Sequence, residues 1–188
     1  MAVEEPAHTV VLREGAFEVR DYPALVAAEV SVDGSHDAAA NAGFRLLAGY
    51  IFGGNTRKQS IAMTAPVVQA ASEKIAMTAP VIQSGGAGGG KGPWTVRFIM
   101  PASYTLETLP TPNDARVHLV PLAPARVAVV RFSGFVGAEH IASETAALEA
   151  FIAGKGLRRT GPASLARYDP PWTPWFMRRN EILIPIAR

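Results

Sequence analysis

The side chains with the most chemical potential in this chain are two methionines, several arginines and one glutamate. Ile61-Ala62-Met63-Thr64-Ala65-Pro66-Val67 recurs letter for letter as Ile75-Ala76-Met77-Thr78-Ala79-Pro80-Val81, fourteen residues later. Each copy carries a thioether, a soft, polarisable group that can contact an aromatic macrocycle or, more weakly, coordinate its iron. On the apolar face of a strand a methionine more often serves as core, so Met63 and Met77 stand between these two uses. Arg57 and Lys58, just before the first copy, suit carboxylates or a solvated loop. Glu181 precedes the apolar run Ile182-Leu183-Ile184-Pro185-Ile186 and follows Arg178, Arg179 and Asn180. It is placed either at the mouth of an apolar pocket or in an ion pair at a strand end.

Other chemistries drop out. The chain has no cysteine, which removes disulfides, thiolate metal sites, Cys-x-x-Cys-His haem attachment and thiol catalysis. His8, His36, His118 and His140 show no ligand spacing. Neither Ser133-Gly134 nor Gly53-Gly54 matches a nucleophile elbow or a phosphate loop. A net charge of +2 over 188 residues, without basic runs interleaved with aromatics, does not point to nucleic acid. A local basic excess from Arg158 to Arg188 is suited to an anionic ligand. No apolar run approaches the roughly 18 residues of a membrane span, and Met1 to Thr9 lack signal-peptide character. A cytoplasmic protein is the expectation from these residues.

The elements that position these groups follow from periodicity. With 48% hydrophobic and 18% charged residues, the chain is expected to be one globular domain over residues 1–188, ordered from about 9 to 187. Val10–Leu12 and Phe17–Val32 read as strands, the second broken near Asp21-Tyr22-Pro23. Ser35 is an N-cap for a helix from His36 to Ile51, which Gly53-Gly54-Asn55 ends. The repeat is expected to fold as an antiparallel hairpin pairing Gln69 with Ile75, Val67 with Met77, Ala65 with Ala79 and Met63 with Val81. Residues 84–92 hold six glycines in nine and read as a flexible loop. Strands over Trp94–Met100, Val117–Val120 and Arg126–Phe132, a helix over Ala138–Ala153, and strands over Arg158–Tyr168 and Glu181–Ile186 complete the order. The fold class is α+β: two similar halves, each helix covering one face of a largely antiparallel sheet.

Several words of the sequence are also familiar. Phe17-Glu18-Val19-Arg20-Asp21-Tyr22-Pro23, Tyr50-Ile51-Phe52-Gly53-Gly54-Asn55, the paired Met-Thr-Ala-Pro-Val, Phe98-Ile99-Met100-Pro101, Arg131-Phe132-Ser133-Gly134, Tyr168-Asp169-Pro170-Pro171-Trp172 and Arg179-Asn180-Glu181 resemble the SOUL haem-binding protein family. The resemblance implies a distorted antiparallel β-barrel flanked by two helices, built from two pseudo-repeated halves. It also implies reversible, non-covalent binding of haem or another porphyrin in an apolar groove beside one helix, as carrier or buffer rather than enzyme. Carried over by position, the groove involves Arg57, Met63 and Met77, with Leu47 of the first helix. Arg178 and Arg179 are added here, outside the family pattern, as partners for propionates. The family has no uniform axial ligand, and many bacterial proteins resembling it carry an export signal, so a periplasmic location is the alternative. The fold is also similar to GyrI-like ligand-binding domains, whose last strand often carries a Glu before an apolar run ending in Ile-Pro. That similarity implies the alternative of a small-molecule sensor or hydrolase using Glu181 with Tyr168.

Overall fold

Alternation in the first strands decides which way the sheet faces. In β2 (Phe17–Tyr22), Phe17, Val19 and Asp21 share one side, while Glu18, Arg20 and Tyr22 share the other. In β3 (Leu25–Val32), Ala28 and Val30 point to the helix side and are fully buried. The computed structural model describes residues 4–57, 74–75, 77, 79–85, 93–169 and 172–188. Around these strands it builds β1 (Thr9–Glu14), α1 (His36–Ile51), β4 (Asn55–Thr56), β5 (Val81–Gly85), β6 (Trp94–Ile99), β7 (Thr111–Pro112), β8 (His118–Leu122), β9 (Ala125–Ser133), α2 (Ala138–Gly154), β10 (Ser164–Arg167) and β11 (Arg179–Ile186).

Nine strands form one sheet in the order β1-β2-β9-β11-β10-β5-β6-β3-β8, antiparallel at every pairing, and β4 pairs with β7 separately. The α+β class and the two halves expected from sequence are present. α1 packs on β3 and β6, and α2 packs on β9 and β11. Leu47, Tyr50 and Ile51 join Val96 and Phe98 in one core; Leu148 and Ile152 join Val130, Ile182 and Ile184 in another. A third cluster, around Val129, Ala166 and Leu183, lies on the opposite face of the sheet.

The start and end of α1 follow the local rules. Ser35 Oγ accepts from the Ala38 N–H, and the Gly54 N–H returns to the Gly49 carbonyl after the last turn. Gly43 lets α1 approach β6: a Cβ there would sit 2.6 Å from Val96 Cγ2. Gly43→Ala should therefore destabilise by about 1–3 kcal/mol through overpacking. The shift in the urea midpoint measures it, and an unshifted midpoint would mean that helix and sheet separate freely.

Three expectations are corrected. Among the described residues of the second repeat copy, Ile75, Met77, Ala79 and Pro80 lie outside any strand. Val81 opens β5, which is flanked on both sides: Val81 pairs with Phe98 of β6 and with Arg167 of β10. Those two neighbours leave Val81 no edge for the hairpin. The first copy, with Met63, lies outside the described residues. The glycine-rich loop also begins later than expected, because Ser84 and Gly85 continue β5. Gly85 takes φ +114°, and a Cβ on it would meet the Pro93 carbonyl oxygen at 2.6 Å. Finally, the strand expected over Arg158–Tyr168 shortens to Ser164–Arg167, with an isolated bridge from Arg159 to Ile186.

Candidate functional site

The polar side of β2 and the start of β11 meet in a buried ion network. Glu181 is fully buried and Arg20 is 3% exposed. Glu181 Oε2 accepts from Arg20 Nη1 at 2.8 Å and from the Tyr168 hydroxyl at 2.7 Å. Its Oε1 accepts from Arg20 Nη2 at 3.0 Å and from Arg179 Nη2 at 2.9 Å. Arg20 also donates to Glu18 and Tyr22, and Arg179 donates to Glu5 and lies 3.8 Å over the Tyr168 ring. Burial alone would raise the Glu181 pKa, but the bonds from Arg20 and Tyr168 outweigh it and hold the carboxyl below its usual range. Tyr168 is pushed upward by burial and by the Glu181 charge, so it stays a neutral donor.

This arrangement leaves Glu181 with the character of a structural counter-ion. An ionised carboxylate with both oxygens occupied has no lone pair directed at a cavity and little basicity for proton transfer. Of the two uses open to it from sequence, the ion pair is the one this geometry carries. Arg20 was not singled out from sequence, because its partner lies 161 residues away. The available signal was its place between Glu18 and Tyr22 on one side of β2, opposite Phe17 and Val19.

The remaining candidates do not all fall together. Beyond the C-terminal end of α1, Phe52 is 58% exposed and Arg57 is exposed on the chain that follows. The Ile75 N–H donates to the Ile51 carbonyl at 2.7 Å, anchoring the segment that carries Met77, whose side chain is 37% exposed. Ile75 itself is buried in the α1 core, so Met77 projects from an anchored base. Leu47 does not join them; it is fully buried between α1 and the sheet.

Arg178 and Arg179 lie elsewhere. With Arg131 and Met177 they line a cleft of about 290 Å³ beside the end of β9. Arg178 also lines a second cleft, of about 440 Å³, with Asp37 and Asn41 from the first turns of α1. A helix of 16 residues, roughly 24 Å long at 1.5 Å per residue, runs from that end to the one where Ile75 is anchored.

The four histidines are dispersed. His8 stands by Tyr22, His36 packs edge-on against Trp94, His118 lies on β8, and His140 packs against Phe132. No cluster of three metal-ligating His, Asp or Glu side chains occurs among the described residues. No described helix is long and apolar enough to cross a membrane.

Comparison with known proteins supplies the wider setting. The C-terminal domain of EcmrR is similar in structure, with a TM-score of 0.64 at 10% identity over 92% of this chain and 97% of that one. A hydrolase from Listeria innocua is similar at a TM-score of 0.54 and 14% identity, over 100% of this chain and 94% of that one. An uncharacterized conserved protein from Listeria innocua reaches 0.56 at 15% identity, over 99% and 94%. At these identities the likeness is one of fold. Among curated proteins none matches. In sequence, the pattern of the SOUL heme-binding proteins is matched over residues 3–185, so the chain belongs to the SOUL heme-binding protein family.

Proposed function

We propose that this protein binds haem or a related tetrapyrrole reversibly and non-covalently at the C-terminal end of α1, as a carrier or buffer. The family match over residues 3–185 is the observation that carries this reading. The residues present suit such a ligand. Phe52 and Met77 offer exposed apolar and sulfur surface for a ring face, and the exposed Arg57 suits a propionate. Haem bound here would supply iron chemistry, while the chain's own residues cover the ring and orient its acids.

Affinity on this reading comes from burial. Covering several hundred Å² of apolar ring at about 25 cal/mol per Å² contributes many kcal/mol before ordering costs, without an axial bond. A binding role rather than catalysis is supported by Glu181, whose oxygens are saturated by Arg20, Arg179 and Tyr168.

The expected outcome of an absorbance titration is that haem and metal-free protoporphyrin bind with dissociation constants within about tenfold, a difference of under 1.4 kcal/mol. Met77→Ala should weaken both by up to about tenfold, the loss of one sulfur–ring contact. Tight haem binding alongside no binding of the metal-free ring would overturn the reading and point to an iron ligand.

A further inference from the structure

The seam between the two halves holds a half-buried guanidinium whose counter-ion, Asp37, is exposed. β10 ends the group of strands beneath α2 and β5 begins the group beneath α1. Because the helices pack on β3, β6, β9 and β11, they flank the seam. Arg167 pairs with Val81 and Leu165 with Gln83, and strand alternation sends all four side chains to the helix side. Above them lies the 440 Å³ cleft, walled by Asp37 and Asn41 of α1, by Phe135 and Gly137 at the start of α2, and by Arg178.

Arg167 Nε and Nη2 are buried without a hydrogen-bond partner among the described residues, and so is Gln83 Oε1. The nearest counter-charge, Asp37 Oδ1, stands 3.6 Å from Nη2, beyond hydrogen-bonding range, on a side chain that is 76% exposed. Burial lowers the Arg167 pKa, Asp37 opposes that shift and Arg178 adds to it. Native interiors seldom leave a guanidinium in this condition. The Arg167 side chain as a whole is 32% exposed and lines the cleft. Gly137 caps α2 without a side-chain hydrogen bond, so the positive end of that helix adds to the field. The wall is aromatic: Phe135 is 63% exposed and stacked on Trp175, centroids 5.3 Å apart at 14°.

We propose that this interhelical cleft binds an aromatic carboxylate, its acid group set between Arg167 and Arg178 in place of the Asp37 ion pair and its ring against Phe135. Two guanidinium groups and a helix N-terminus disfavour a cation, and the exposed ring pair favours an aromatic body over a bare inorganic anion. The site is independent of the tetrapyrrole reading, since it lies at the other end of α1.

The test uses the full chain, with 1-naphthoate and neutral 1-naphthamide as probes, followed by calorimetry and by Trp fluorescence. Naphthoate is expected to bind at least tenfold more tightly than naphthamide. Arg167→Gln should remove that preference, Arg167→Lys should restore part of it, and Asp37→Asn should strengthen naphthoate binding about threefold or more. Equal affinities for the two probes, or naphthoate binding unchanged in Arg167→Gln, would overturn the proposal. If Arg167→Gln fails to fold, an unchanged affinity in the exposed Asp37→Asn variant overturns it equally. Haem titration of the same variants should show no change, which separates this site's failure from that of the tetrapyrrole site.

Discussion

Glu181→Ala should cost about 3–5 kcal/mol of folding stability, the scale for removing one partner from a buried ion pair. The loss comes from the partner left behind. Arg20 is 3% exposed and would lose the carboxylate that accepts two of its bonds, at 2.8 and 3.0 Å. Tyr168 would lose the acceptor of its hydroxyl at the same time. For a chain of this length the change corresponds to a drop of roughly 6–20 °C in melting temperature. Replacing Arg20 and Glu181 together by methionine should recover much of it, because an apolar pair leaves no charge to desolvate. A Glu181→Ala variant as stable as the parent would show that water reaches Arg20. The same network predicts acid sensitivity. Glu181 and Glu18 have folded pKa values below the ordinary 4.5, so their contribution is complete above that pH and is lost as pH falls through the lower folded values. The stability gap between the parent and Glu181→Ala should therefore narrow below about pH 4.5 in urea titrations.

Leu47→Ala should destabilise by about 2–5 kcal/mol, as large-to-small changes in packed cores do. Leu47 is fully buried in the cluster that joins α1 to Val30, Val96 and Phe98. Few neighbours can close over the vacated space, since Gly43 already brings α1 into tight contact with Val96. Porphyrin affinity of the folded fraction should stay within about twofold of the parent, because a fully buried side chain meets no ligand. A tenfold loss of porphyrin affinity with unchanged stability would instead mean that α1 lifts to admit the ring.

Features that depend on near neighbours were legible in the residues alone. The span of α1, its Ser35 cap, the break at Tyr22-Pro23 and the two-helix α+β order are set by periodicity, capping and glycine, which act within a few residues. Features that depend on strand order were set by the fold. The repeat suggested local pairing, yet Val81 takes its partners from β6 and β10, because a central strand gains two ladders where a hairpin edge gains one. Glu181 acquires its meaning from Arg20, brought close by β9 lying between β2 and β11. Arg167 is left with an exposed partner, Asp37, because its strand is the seam between two halves that are each covered elsewhere. The thioethers that first drew notice keep one described member, exposed at the end of α1. Long-range register sets each arginine's neighbours: Arg179 joins the buried network, Arg57 follows the end of α1, and Arg178 lines the interhelical cleft.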